Sequence, residues 1–196
     1  MKKANYFIRQ FGKPTGSFGK FLSRIMNMSN KRMYRANLDK VVNARKILEI
    51  GAGNGRQLQM LYKQYRDKKL YGIDISKDMI TACQKRLGNS VVLTVADAEN
   101  LPFESDFFDA AITTDTCYFW KDPRKVNEEI NRVLCRGGIF VNSMNTMYAN
   151  SVNKSRKGDC ISDTDKLIEL FKDTAFEVIS RRKLSRTEEQ VVFIKR

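Results

Sequence analysis

From residue 46 onward the chain alternates between two hydrophobic rhythms. Short apolar runs occur at Lys46–Ile50, Lys69–Ile75, Ser90–Ala96, Phe108–Thr113 and Gly138–Ser143. Runs of this length, bounded by turn residues, predict strands buried on both faces. Between them, apolar residues recur every three or four positions. Arg56–Arg66 carries Leu58, Leu61, Tyr62 and Tyr65, and Lys77–Leu87 carries Met79, Ile80, Cys83 and Leu87. Pro123–Leu134 carries Val126, Ile130, Val133 and Leu134, with Asp122 in place to cap a helix that begins at proline. These spacings predict amphipathic helices. The tail predicts another helix at Ser162–Asp173, then extended runs at Phe176–Arg181 and Gln190–Lys195. Alternating strand and helix implies an α/β fold with a parallel sheet and right-handed crossovers. The last two runs predict a hairpin that ends the sheet with an antiparallel strand.

The first 46 residues lie outside this rhythm. Gly12, Pro14, Gly16 and Gly19 mark an irregular stretch. Phe18, Phe21, Leu22, Ile25 and Met26 then fall near one face of a helix. A second helix is predicted through Asn30–Val42, with Met33, Tyr34, Leu38 and Val41 on its apolar side. This segment reads as a packing helix pair, a lid over a ligand site or an interfacial patch on a membrane.

Charge sharpens the division. The net charge is +14. Residues 1–46 hold twelve Lys or Arg and one acid, Asp39, whereas residues 47–196 are near balance. The expected organisation is therefore a basic helical extension over 1–45 and a catalytic domain over 46–196. A basic segment favours an anionic partner, whether a charged small molecule, a membrane surface or RNA. The chain has no histidine, which removes Ser-His-Asp and Cys-His catalysis and disfavours a transition-metal site. Cys83, Cys117, Cys135 and Cys160 form no C-x-x-C pair, so a reducing, cytoplasmic setting is expected. No apolar run is long enough for a secretory signal or a transmembrane helix.

The candidate chemistry begins at Ile47-Leu48-Glu49-Ile50-Gly51-Ala52-Gly53-Asn54-Gly55. A strand runs into a turn with glycines at alternate positions, where backbone N–H groups can approach a ligand closely. The spacing is G-x-G-x-G with Glu49 two residues before it, not the G-x-G-x-x-G of dinucleotide-binding units. Asp74 ends the second strand, and Val95-Ala96-Asp97-Ala98-Glu99-Asn100-Leu101-Pro102-Phe103 follows the third. Phe107–Thr113 forms the fourth, and Leu134-Cys135-Arg136-Gly137-Gly138 precedes the fifth.

In these five ordered segments, covering about residues 45–145, the chain resembles class I S-adenosylmethionine-dependent methyltransferases, most closely those of the ubiquinone/menaquinone small-molecule kind. The resemblance implies a doubly wound, Rossmann-like, seven-stranded, mostly parallel sheet with the last strand antiparallel. It also implies S-adenosylmethionine as cofactor and S-adenosylhomocysteine as product. The implied cofactor-binding residues are Glu49, Gly51, Ala52, Gly53, Gly55, Asp74, Ile75, Met79, Asp97, Ala98 and Thr114. Among these, Asp74 would accept from the ribose hydroxyls, Met79 would pack on the adenine and Asp97 would accept from its amino group. The cysteine and arginine at 135 and 136 stand where the family has lysine and proline.

The implied reaction is in-line displacement at a sulfonium methyl, which asks the protein mainly to position partners and exclude water. It requires no metal. The acceptor would enter over Thr114–Trp120, with Asp115 as the base or as a residue that orients a helix or loop, and with Tyr118 and Trp120 holding a planar or cationic group or simply covering the cofactor cleft. The expected acceptor is a small molecule, anionic or aromatic. Alternatives are methylation of a lipid quinone or RNA, or a non-catalytic cofactor-binding module. The pattern names neither the acceptor, the atom methylated nor the oligomeric state.

Overall fold

The computed structural model describes residues 12, 15–155 and 160–196. The other residues of the basic N-terminal segment, Lys13-Pro14 included, lie outside them. Two helices come first, α1 (Gly16–Ser29) and α2 (Lys31–Lys40). Strand and helix then alternate as β1 (Lys46–Ile50), α3 (Arg56–Gln64), β2 (Lys69–Asp74), α4 (Lys77–Leu87) and β3 (Val92–Val95). Next come β4 (Phe108–Thr114), α5 (Pro123–Val133), β5 (Leu134–Asn145), α6 (Thr146–Ser155), α7 (Thr164–Phe171), β6 (Phe176–Lys183) and β7 (Glu188–Lys195).

Among the described residues the sheet has seven strands in the order β3-β2-β1-β4-β5-β7-β6. The first five are parallel, and β7 runs antiparallel to both β5 and β6. This is the expected doubly wound sheet with a reversed last strand. Side-chain alternation along each strand divides the core in two. Leu48, Ala111, Phe140 and Phe193 face one cluster with Val126 and Ile130 of α5 and Phe171 of α7. Ile47, Ala110, Ile112, Val141 and Val192 face the other, with Leu58 and Leu61 of α3 and Cys83 of α4. Leu38 and Val41 join that second cluster, so α2 packs into the core.

Helix starts follow the sequence. Asp122 accepts the Arg124 and Lys125 N–H groups before α5, Ser76 accepts Met79 N–H before α4, and Asp163 accepts Lys166 N–H before α7. Asp109 accepts the N–H groups of Arg45 and Lys46 at 2.8 Å each, tying the base of β1 to β4.

Two segments differ from expectation. α6, at Thr146–Ser155, carries only Ala149 and Val152 as buried residues, too sparse a stripe to read as a helix. Strand β5 begins at Leu134, which pairs with Phe108, and not at Gly138. The glycine pair is thus inside an irregular strand start, with Gly137 at φ 80°, and does not cap the helix.

Candidate active site

The register sets the site. Ile50 pairs with Ile73 on one side and Thr113 on the other, so the carboxyl ends of β1, β2 and β4 finish level. Strand order reverses between β1 and β4, the place where open α/β sheets bind ligands. A cavity of about 500 Å³ opens there, within the range of small-molecule sites.

The glycine turn forms one wall. Gly51, Gly53 and Gly55 all have positive φ, at 76°, 53° and 77°. A Cβ on Gly51 would lie 2.4 Å from Thr116 Cγ2, and one on Gly55 would lie 2.3 Å from Cys83 Sγ. Glycine is therefore required at both by conformation and by space. Glu49, Gly51, Ala52 and Gly53 line the cavity. Gly55 does not; it lets the turn pack against α4. Asp74, Ile75, Met79, Asp97 and Ala98 line the cavity beside the turn, and Thr114, Asp115 and Trp120 line it from β4.

The acids are held differently. Asp74 accepts the N–H of Gly53 through Oδ2 and that of Ser76 through Oδ1, both at 2.8 Å. Asp97 accepts the Glu99 N–H at 3.2 Å and pairs with the exposed Lys121 at 3.5 Å. Glu49 is 3% exposed, and its Oε2 is buried without a hydrogen-bond partner. Burial pushes its carboxyl well above the usual range, the Leu58 N–H opposes this and the charge of Asp74 adds to it. One oxygen of this buried carboxyl therefore stands without a hydrogen bond beside the glycine turn.

Asp115 sits in the left-handed region at φ 57°. Its Oδ1 accepts the Asn145 N–H at 2.6 Å, and its own N–H donates to Ser143 O at 2.9 Å. Burial raises its pKa to about 6, against hydrogen bonding from the Asn145 N–H and from the side chains of Tyr118 and Asn30. Tyr118 is 1% exposed and stands behind the wall, its ring 4.7 Å from that of Phe119. It therefore positions Asp115; the ring facing the cavity beside Trp120 is Phe119. Cys117 is buried, and desolvation followed by the charge of Asp115 pushes its thiol up, away from a nucleophilic form.

A lid was one reading of the N-terminal helices, but the residues through which they wall the cavity were not singled out as such in the sequence. Ser23, Met26 and Asn27 of α1, Tyr34 of α2 and Asn30 between them line the cavity. They grip the glycine turn through Asn54, which accepts from Asn27 Nδ2 at 2.8 Å and donates to Ser23 Oγ at 3.0 Å. Tyr34 Oη donates to Asn27 Oδ1 at 3.1 Å. Below them, Asn37 donates to Thr114 Oγ1 at 2.9 Å and accepts from Ser143 Oγ at 2.6 Å and Gln190 Nε2 at 2.8 Å. That buried network fixes α2 to β4, β5 and β7. The available signal was the run of Asn and Ser on helices whose apolar partners are buried.

Comparison with known proteins agrees with this geometry. The family model described as a methyltransferase domain matches residues 48–142. The uncharacterized methyltransferase YdaC of Bacillus subtilis is 31% identical over 134 residues, which are 68% of this chain and 72% of that one. The chain belongs to the class I S-adenosylmethionine-dependent methyltransferases. The protein MJ1123 of Methanocaldococcus jannaschii is 32% identical over 141 residues, 67% of this methyltransferase and 64% of its own length. The chain thus spans about two thirds of these relatives. A crystal structure of an S-adenosylmethionine-dependent methyltransferase from Aquifex aeolicus superposes with a TM-score of 0.75 at 15% identity, covering 89% of this chain and 98% of that one. At that identity the likeness concerns the fold.

Proposed function

We propose that this methyltransferase binds S-adenosylmethionine in the 500 Å³ cavity and methylates a small, neutral or cationic acceptor, preferably aromatic. The convergence of the glycine turn, Asp74, Asp97 and buried Asp115 on one cavity carries this reading. The donor set fits the cofactor: the Glu49 oxygen without a hydrogen bond is open to one, Asp74 and Asp97 suit hydroxyl and amino donors, and Met79 and Ala98 offer apolar contact to a base. When bound, the cofactor supplies an electrophilic methyl on a positively charged sulfur.

The chain's own residues do the rest. The glycine turn and Asp74 hold the ligand against the ends of β1 and β2. Phe119, Trp120 and Val152 make the acceptor side apolar and exclude water. Asp115, with its carboxyl near pKa 6, takes the proton an acceptor must lose. An anionic acceptor is disfavoured, since Asp74, Asp97, Glu99 and Asp115 line the cavity against Lys121. α1 acts as a lid clamped to Asn54, resting on an α2 that is fixed to the sheet.

The test is calorimetric titration with S-adenosylhomocysteine, followed by transfer of labelled methyl from S-adenosylmethionine into a cell extract. Binding weakened in Asp74→Ala, with label transferred by the parent protein and not by Asp115→Asn, is expected. Absence of binding by the parent protein overturns the reading.

A further inference from the structure

Helix α1 has two apolar faces. Leu22, Ser23 and Met26 turn inward, Leu22 and Ser23 buried and the last two lining the cavity. Phe18, Phe21, Ile25 and Met28 turn outward, at 38%, 58%, 49% and 82% exposure. At about 100° per residue these four fall in an arc of about 80°, a continuous apolar stripe along the helix. Isolated exposed hydrophobics need no explanation; a contiguous stripe of large ones does.

The stripe ends in a basic groove. Met28, the most exposed of the four, also lines a second depression with Lys31, Arg32 and Arg35 of α2 and Arg182 and Lys183 of β6. Asp39 and Glu188 are the acids there, and Glu188 is engaged by Arg32 at 3.3 Å. The groove therefore keeps an excess of positive charge next to exposed apolar side chains. An amphipathic helix flanked by lysine and arginine is the chemistry that lies in the interface of an anionic bilayer, its apolar side chains among the acyl chains and its cations at the headgroups. An RNA groove would match the charge and leave the stripe bare; a second copy of this chain would cover the stripe and oppose the charge.

We infer that the outer face of α1 and the α2–β6 groove together form a docking surface for an anionic membrane. This lies outside the methyl-transfer reading and stands without it. It places the helix that walls the cavity at the lipid surface. Among the described residues no helix is long and apolar enough to cross a membrane, so the contact is peripheral.

The test is co-sedimentation of the full chain with phosphatidylcholine–phosphatidylglycerol vesicles and with phosphatidylcholine alone. Binding to the anionic vesicles that weakens with salt is expected. Phe21→Ser/Ile25→Ser and Arg35→Glu/Lys183→Glu should each weaken it by at least about tenfold. Neither pair lines the cavity, so both variants should bind S-adenosylhomocysteine like the parent, which shows that they fold. Absence of vesicle binding overturns the inference, as does equal binding to both vesicle types. Parent-like vesicle binding by the serine pair, with a dimer of the parent split to monomers, reassigns the stripe to self-association. Failure of cofactor binding in every form would remove the methyl-transfer reading and leave the vesicle result intact.

Discussion

The carboxylate of Asp74 accepts the backbone N–H of Gly53 at 2.8 Å, across 21 residues of sequence. The acid at the end of β2 therefore shapes the glycine turn as well as lining the cavity beside it. Asp74→Ala leaves two backbone N–H donors, those of Gly53 and Ser76, without their acceptor and removes a ligand contact in the same step. It should cost about 1–3 kcal/mol of cofactor affinity and a similar loss of folding stability. Calorimetry with S-adenosylhomocysteine and urea denaturation measure the two separately. Unchanged affinity would take Asp74 out of the binding wall.

Gly55 makes a contrasting prediction, because it stands outside the cavity. Gly55→Ala forces a non-glycine residue to φ 77° and drives its Cβ to 2.3 Å from Cys83 Sγ. A loss of about 1–3 kcal/mol is expected from strain and overpacking. Cys83→Ala in the same chain should restore part of it by opening space, leaving the backbone share. Denaturant midpoints of the two single variants and the double variant decide this, and simple additivity would deny the contact.

These two positions show which parts of the site the sequence made legible. The strand before Glu49, the glycine spacing and Asp74 lie within one βα unit, so local pattern placed them at the ends of β1 and β2. Asp97 and Asp115 followed from the next strands. A lid was one of the readings of α1 and α2, but the roles of Asn27, Asn30 and Tyr34 in it were hidden, because they reach the cavity by packing across the chain. A helix pattern reports which face is apolar, not what polar groups meet beyond it. Tyr118 was left between two readings for a related reason: an aromatic after β4 reads equally as holding an acceptor or as covering the cleft, and its burial away from the cavity lining favours support. The start of β5 was obscured by Gly137 and Gly138, which put the expected strand at Gly138–Ser143, although Leu134 already pairs with Phe108 and the ladder resumes at Ile139 opposite Ala110.

Asp115 predicts a pH dependence of stability. Its carboxyl titrates near 6 in the folded protein, against about 3.9 in an unfolded chain. Between those values the native state holds the proton that the unfolded state has lost. The stabilisation is thus complete below about pH 4 and falls as pH rises through about 6, by roughly 2–3 kcal/mol for this group. Asp115→Asn keeps a residue that tolerates φ 57° and removes the titration. Urea denaturation from pH 4 to 7 should show the variant gaining on the parent as pH rises. In activity, kcat/KM should rise through about pH 6 in the parent and lose that limb in the variant.

The grip of the N-terminal helices on the glycine turn gives the last prediction. Asn27 joins Tyr34 on α2 to Asn54 in the turn, accepting from the one and donating to the other. If α1 is a lid, breaking this link should loosen the ligand without unfolding the sheet, whose core is sealed separately by Leu38 and Val41. Asn27→Ala should therefore cost about 1 kcal/mol in S-adenosylhomocysteine affinity, expressed mainly as faster release. Tyr34→Phe removes only the hydroxyl and should cost less, because Asn27 still reaches Asn54. Stopped-flow release rates alongside thermal denaturation separate the two roles. Faster release at an unchanged melting temperature supports a lid, whereas a lower melting temperature with unaltered release would make the helix pair a packing element only.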